Sequence, residues 1–236
     1  MLSLSIVIPC YNEFENLNLL IKKIESLFKF DVLLNVIIVN NGSTDGTQVF
    51  LDNYIKKTKF NIQILNIKEN IGYGHGILKG VNIANGDIIA WTHADLQCDP
   101  KDTIDAYNKL IKYKNKKIIL KGKRKGRGII DYFFTLGMGM ICSLYFRKIL
   151  FDINAQPKMF YNEFKVLLKD APYDFSLDLH LLLIGRKNNY RIIDHPVFFK
   201  KRNAGTAKGG GGSIKNKIKL IIRTLKYIIY TKQKWK

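Results

Sequence analysis

The sequence predicts an α/β fold: a mostly parallel, Rossmann-like sheet flanked by helices, with a C-terminal amphipathic helix. Three observations predict it. Short runs rich in Ile and Val alternate with segments of helical period, the polar and glycine residues gather in the loops after those runs, and four consecutive glycines, Gly209 to Gly212, precede a final segment with a different pattern.

Strands are expected over 4–8, 36–39, 62–66, 88–91 and 117–120, where β-branched residues cluster. Between them, 16–28, 47–57, 76–84 and 102–113 carry apolar residues at helical spacing. The loops at 9–13, 40–46, 70–76 and 93–100 follow strand ends, and ligands of open α/β sheets bind outside the carboxyl ends of the strands. Those loops are therefore expected to meet at one site. Further on, 129–150 reads as a long apolar helix, 176–185 as a shorter one and 190–199 as extended chain. The uncharged run 133–146 falls short of the roughly 20 residues a spanning helix needs, so peripheral membrane attachment is expected rather than insertion.

The main domain is expected over 1–204, a Gly-rich mobile loop over 205–213, and a basic amphipathic helix over 214–236. In that last segment Ile214, Ile218, Ile221, Ile222, Leu225, Ile228 and Ile229 share one face, while Lys215, Lys217, Lys219, Arg223 and Lys226 fill the other. The pattern alone fits either contact with a membrane or a helix docked on the domain with a solvated basic face.

With 47% hydrophobic and 12% aromatic residues, the chain can bury a sizeable core, which excludes intrinsic disorder. The net charge of +20 calls for an anionic partner. Its placement narrows the choice: 112–127 and the stretch after Asp194 together hold 21 of the 39 Lys and Arg and no acid, leaving the remainder near neutral. An anionic membrane surface suits this distribution. A nucleic-acid partner fits less well, because Tyr113 is the single aromatic residue among the bases of 112–127. Abundant Lys, Asn and Ile also fit simple compositional bias. Cys10, Cys98 and Cys142 lack framework spacing, and the N-terminus shows no signal-peptide pattern, which together point to a reducing, cytoplasmic setting.

Three motifs stand at strand ends in order: Ser5-Ile-Val-Ile-Pro-Cys-Tyr-Asn-Glu13, Val39-Asn-Asn-Gly-Ser-Thr-Asp-Gly-Thr47 and Ala90-Trp-Thr-His-Ala-Asp-Leu-Gln97. Together they resemble the inverting family 2 glycosyltransferases of the GT-A fold, and within them the polyprenyl-phosphate sugar synthases, the dolichol-phosphate-mannose-synthase-like branch. Lys121-Gly-Lys-Arg124 stands where that family often has Gly-Ser-Arg. Asp152-Ile-Asn-Ala-Gln-Pro-Lys-Met-Phe160 is similar to its Asp-containing later segment, and Arg202-Asn-Ala-Gly-Thr-Ala-Lys208 to its Arg-x-x-Gly-x-Ser-Lys pattern.

The resemblance implies a nucleotide-sugar donor, a polyprenyl-phosphate or glycan acceptor, and a divalent metal, Mn²⁺ or Mg²⁺, to neutralise the leaving diphosphate. It places Pro9, Tyr11, Glu13, Asn41, Ser43, Gly72, His93 and Ala94 against the nucleotide. Metal ligands would be Asp95 and Gln97, with His93 where the family has an Asp. One carboxylate is thereby lost, and imidazole favours Mn²⁺ over Mg²⁺. Asn40-Asn41 replaces an Asp pair; an amide facing the base suits uracil, which favours a UDP-sugar over a GDP-sugar. Asp152, Asp95 and Asp178 are the candidate catalytic carboxylates. Arg124, Arg127, Thr135, Arg202 and Lys208 are candidates to hold the acceptor phosphate.

The cluster Asn70-Ile-Gly-Tyr-Gly-His-Gly76 follows the third strand, not the first, and so does not read as a dinucleotide fingerprint. It suits either close approach to the donor, with His75 near phosphate, or a tight strand-to-helix turn. The expected activity is transfer of a sugar at the cytoplasmic membrane face. Two other readings stay open: a relative that binds a nucleotide sugar without turning it over, and a basic nucleic-acid-binding protein.

Overall fold

The computed structural model of the chain describes residues 1–126, 128–146, 150–202, 222–229 and 231, with the backbone alone at 129–134. Its strands are β1 (Ser3–Cys10), β2 (Leu33–Asn41), β3 (Ile62–Ile67), β4 (Ile88–Trp91), β5 (Ile118–Lys125), β6 (Lys158–Tyr161) and β7 (Arg191–Phe198). Its helices are α1 (Phe14–Glu25), α2 (Thr47–Ile55), α3 (Tyr73–Ile83), α4 (Lys101–Leu110), α5 (Ile129–Phe146) and α6 (Leu177–Lys187). The strands form one sheet in the order β3-β2-β1-β4-β6-β5-β7. All neighbours pair in parallel except β6, which lies antiparallel between β4 and β5.

Strand alternation sorts the core into two layers. Leu4, Ile6 and Ile8 of β1 join Leu17, Leu20, Ile104 and Tyr107 on one face. Val7 joins Val39, Ile77, Trp91, Phe160 and Leu181 on the other. With both faces covered, β1 and β2 read as continuous apolar runs, as buried parallel strands do. Helix α3 comes unusually close to the sheet: a Cβ on Gly80 would lie 2.4 Å from Val7 Cγ1, and one on Gly76 would lie 2.8 Å from Asn41 Cγ.

Several elements depart from expectation for identifiable reasons. Helix α3 starts at Tyr73 rather than 76, because its first turn holds glycines that carry no periodic signal. Helix α1 yields to a 3₁₀ turn at Ser26–Lys29, while of the expected helix 129–150 the positions 147–149 lie outside the described residues. Strand β5 continues through its basic residues to Lys125, because β7 pairs with it residue by residue from Ile118↔Arg191 to Lys125↔Phe198. Strand β6 was not expected; four residues led by a lysine give too short a pattern to read.

The loop at 205–213 and most of the expected last helix lie outside the described residues. Residues 222–229 are helical, and Leu225, Tyr227 and Ile228 pack onto the second core cluster while Ile222 and Ile229 stay exposed. A 2.6 Å contact between His180 Nδ1 and the Tyr227 hydroxyl pins this segment to α6. Among the described residues no helix is long and apolar enough to cross a membrane, and the three cysteines are buried and free.

Candidate active site

Strand register brings the expected residues to one edge. Cys10 pairs with Asn40 and Val7 with Trp91, so Tyr11 and His93 follow, and Asn41 ends, adjacent strands at their carboxyl ends. Hydrogen bonds then tie the loops together. The Asn12 amide N–H donates to Ser43 Oγ (3.0 Å), Asn12 Oδ1 accepts from the Thr44 N–H (2.7 Å), and the Glu13 N–H donates to Thr47 Oγ1 (3.2 Å). Arg202 joins the β1 loop to the β4 loop: its Nη2 donates to Glu13 Oε1, and its Nη1 lies 4.0 Å from Asp95 Oδ2. Pro9, Tyr11 and Glu13 are half-buried along this edge, and Ala94 is buried beneath it.

Asn41 is 3% exposed. Its Nδ2 donates to Asn70 Oδ1 (3.3 Å) and to the Gly72 carbonyl (3.0 Å), so the amide's donor side is already engaged. Its Oδ1 is buried without a partner. The residue therefore has an acceptor to offer, whereas its expected donation to a base is taken up within the protein. The glycines around it serve packing: a Cβ on Gly72, whose φ is +147°, would meet the Tyr173 carbonyl at 2.1 Å, and one on Gly74 would meet the Pro172 carbonyl at 2.4 Å. His75 lies edge-on to Tyr173, their ring centroids 5.1 Å apart, on a face of α3 lined by Leu78, Lys79 and Asn82.

The β4 loop turns sharply, with Leu96 in the left-handed region at φ +59° and Asp95 Oδ1 accepting from the Gln97 N–H (3.1 Å). His93 Nε2 lies 3.0 Å from the Tyr73 hydroxyl, which leaves Nδ1 for other partners. Gln97 Nε2 donates to the Lys200 carbonyl (3.2 Å), leaving its Oε1. Among the described residues no three His, Cys, Asp or Glu side chains gather as a self-sufficient metal cage. A carboxylate oxygen, an imidazole nitrogen and an amide oxygen are donor types that suit a divalent cation such as Mn²⁺ but do not by themselves complete its shell.

Asp152 sits at φ +45° and is clamped by Arg124: its Oδ2 accepts from the Arg124 backbone N–H (2.6 Å) and its Oδ1 from Arg124 Nε (2.7 Å) and Nη2. Burial pushes this carboxyl up, but the Arg124 charge and hydrogen bonds outweigh it and hold the group below the ordinary carboxylate range. Asp152 is thus a weak base, suited to holding Arg124 in place. The Arg124 guanidinium also lies over Phe199, 5.3 Å from the ring centroid. Thr135 lies on α5, half-buried; Arg127 and Lys208 fall outside the described residues.

Asp178, expected beside the substrate, lies instead under the site at 1% exposure. The reason is its place in the first turn of α6, facing the sheet, where four groups converge on it. Trp91 Nε1 (3.3 Å) and Gln156 Nε2 (3.1 Å) donate to Oδ1, the Tyr73 hydroxyl donates to Oδ2 (3.4 Å), and Lys158 Nζ lies 3.3 Å from Oδ1. Complete burial pulls the Lys158 ammonium down to about 8, against the opposing pull of Asp178. Lys158 also donates to the Ala155 carbonyl (2.6 Å). Sequence reading did not assign roles to Tyr73, Gln156 or Lys158; the one available signal was a lysine leading an apolar run. Through the Tyr73 hydroxyl this buried network reaches His93.

A family model described as glycosyl transferase family 2 matches residues 5–171. The chain is 30% identical over 127 residues to a dodecaprenyl-phosphate galacturonate synthase of Rhizobium johnstonii, covering 53% of this chain and 37% of that protein. It is 25% identical over 237 residues to a dolichol-phosphate mannosyltransferase of Pyrococcus furiosus, covering 96% of this chain and 64% of that one. The chain thus spans between about a third and just under two thirds of the length of these relatives. Among solved structures, glucosyl-3-phosphoglycerate synthase of Mycobacterium tuberculosis with UDP superposes with a TM-score of 0.71 at 15% identity, covering 97% of this chain and 79% of that one. The same synthase with Mn²⁺, UDP-glucose and phosphoglyceric acid gives 0.69 at 14%, covering 95% and 77%. At such identity the likeness concerns the fold, which is α/β and GT-A-like.

Proposed function

The chain belongs to glycosyl transferase family 2, and from that premise we propose that it transfers a sugar, with inversion, from a nucleotide-sugar donor to a polyprenyl phosphate or a glycan at a membrane surface. One observation carries the reading: Arg202 links Glu13 of the β1 loop to Asp95 of the β4 loop, at the edge where Asn41 leaves a buried acceptor unpaired. Two relatives carry dodecaprenyl or dolichol phosphate in their names, which favours the lipid phosphate as acceptor.

The Asn41 acceptor suits the N3–H of uracil, supporting a UDP-sugar; guanine's paired donors would call for a carboxylate. Tyr11 and Pro9 flank the base, Ser43 and Gly72 shape its pocket, and Glu13 accepts from ribose hydroxyls. Asp95, Gln97 and His93 would hold Mn²⁺ or Mg²⁺, which when bound supplies positive charge to the leaving diphosphate. Arg124, held by Asp152, orients the acceptor phosphate together with Thr135, Arg127, Arg202 and Lys208. A phosphate oxygen is already anionic near neutral pH, so it attacks the anomeric carbon without a protein base while the carbon–diphosphate bond breaks on the opposite face. The exposed apolar residues Met140, Ile141 and Leu144 of α5, with Ile222 and Ile229 of the segment 222–229, face the lipid on the cytoplasmic side.

The test is incubation of the purified chain with UDP-sugars, Mn²⁺ and polyprenyl phosphate, following UDP release and the lipid product. Product with inverted linkage is expected. Absence of both UDP binding and donor turnover overturns the proposal.

A further inference from the structure

Beside α3 lies a cleft of about 470 Å³ to which the proposed function assigns no role. One wall is the stripe of His75, Lys79 and Asn82; the other is the 3₁₀ turn Asn162–Leu168, with Lys165, and the following Lys169. Its lining holds three lysines and no carboxylate. Of the acids nearest in sequence, Asp170 follows Lys169 and is exposed, Glu163 lies 3.8 Å from Lys116 and Asp174 lies 3.9 Å from Arg223; none of the three lines the cleft. Among the described residues, Lys79, Lys165 and Lys169 form no ion pair.

Two features distinguish this cleft from a solvated basic surface. Lys165 donates to the carbonyls of Asn82 (2.7 Å) and Ala84 (3.1 Å), which holds its ammonium against the end of α3 instead of leaving it to roam in water. His75 is 8% exposed, and its Nδ1 is buried with no partner, so the ring's hydrogen bonding falls to Nε2. Burial and the nearby Lys79 also lower the His75 pKa from its ordinary value, leaving a neutral ring with one N–H to give.

We propose that this cleft binds a phosphate-bearing anion, with Lys79, Lys165 and Lys169 supplying charge and His75 a ring N–H. A phosphate matches several converging ammonium groups better than a single carboxylate does, because it offers more charge and more acceptor oxygens. The cleft shares no lining residue with the proposed donor site, since none of Pro9, Tyr11, Glu13, Asn41, Ser43, Gly72, His93 and Ala94 lines it.

The test follows the His75 Cε1–H resonance, identified by its loss in His75→Gln, while pyrophosphate is added to the full chain in the presence of excess UDP. A saturable shift is expected, weakened at least about tenfold in Lys79→Gln/Lys169→Gln, since each charged hydrogen bond is worth about 1.5–3 kcal/mol. Both lysines are exposed, so the double variant keeps its core. A parallel arm floats the two proteins with phosphatidylcholine vesicles containing phosphatidic acid. Loss of the pyrophosphate shift in the variant assigns a soluble phosphate ester, and loss of flotation assigns a lipid headgroup. The proposal falls if neither pyrophosphate nor vesicles distinguish the wild type from the double variant.

Discussion

Lys158 and Asp178 form a buried ion pair, at 0% and 1% exposure, that costs desolvation yet fixes Tyr73 and Gln156 beneath His93. Removing Lys158 leaves Asp178 buried without its counter-charge, with only the neutral donors Trp91, Gln156 and Tyr73. Lys158→Met is therefore expected to destabilise the fold by about 3–5 kcal/mol, and Lys158→Met/Asp178→Asn by distinctly less, as measured by urea unfolding. Equal losses would show that Asp178 does not depend on Lys158. The Asp152–Arg124 clamp gives a pH-dependent counterpart. Its folded pKa lies below the ordinary 3.8, so its stabilisation is present above that value and is lost as pH falls through the folded pKa. Asp152→Asn should cost about 1.5–3 kcal/mol at pH 7, and the gap to the wild type should close on acidification below about pH 4. These pairs were not legible in the sequence. Asp178 meets Trp91 and Tyr73 from 87 and 105 residues away, and no local pattern encodes such meetings.

At the scale of elements, what could be read depended on burial. Strands β1, β2 and β4 are covered on both faces, so they stand out as unbroken apolar runs, and their carboxyl ends lie side by side in the sheet at Tyr11, Asn41 and His93. Strand β6 and the basic half of β5 are set by pairing partners distant in the chain, which sequence periodicity does not register. The glycine cluster was visible in the sequence, but its packing was not: it lets α3 press against the sheet and against residues 172–174. Gly74→Ala would drive a methyl group into the Pro172 and Asp174 carbonyls, at 2.4 and 2.8 Å. Those are backbone atoms and give little. A loss of about 1–3 kcal/mol in stability is expected, together with weaker UDP binding, because Tyr73 and Asn41 must shift with the helix. Unchanged UDP affinity by calorimetry would uncouple α3 from the site.

For the whole molecule, the imbalance of 39 Lys and Arg against 19 Asp and Glu favours an anionic surface at long range. Flotation with phosphatidylglycerol vesicles should be strong at about 0.1 M salt and fall steeply towards about 1 M, as the Debye length shrinks from about 10 to about 3 Å. Binding that survives high salt would instead assign attachment to apolar groups such as Leu144, Ile222 and Ile229, which are 86%, 49% and 54% exposed. The sheet order also bears on how the chain is made. Strands β4 and β5 follow one another in synthesis but are kept apart by β6, which leaves the ribosome later. Until residue 161 emerges, the nascent sheet carries an open flank at Ile88–Trp91, a template for any stray strand. A stalled or truncated product of this gene would therefore be a chaperone client and an aggregation seed, whereas the finished chain closes that seam with four residues of its own.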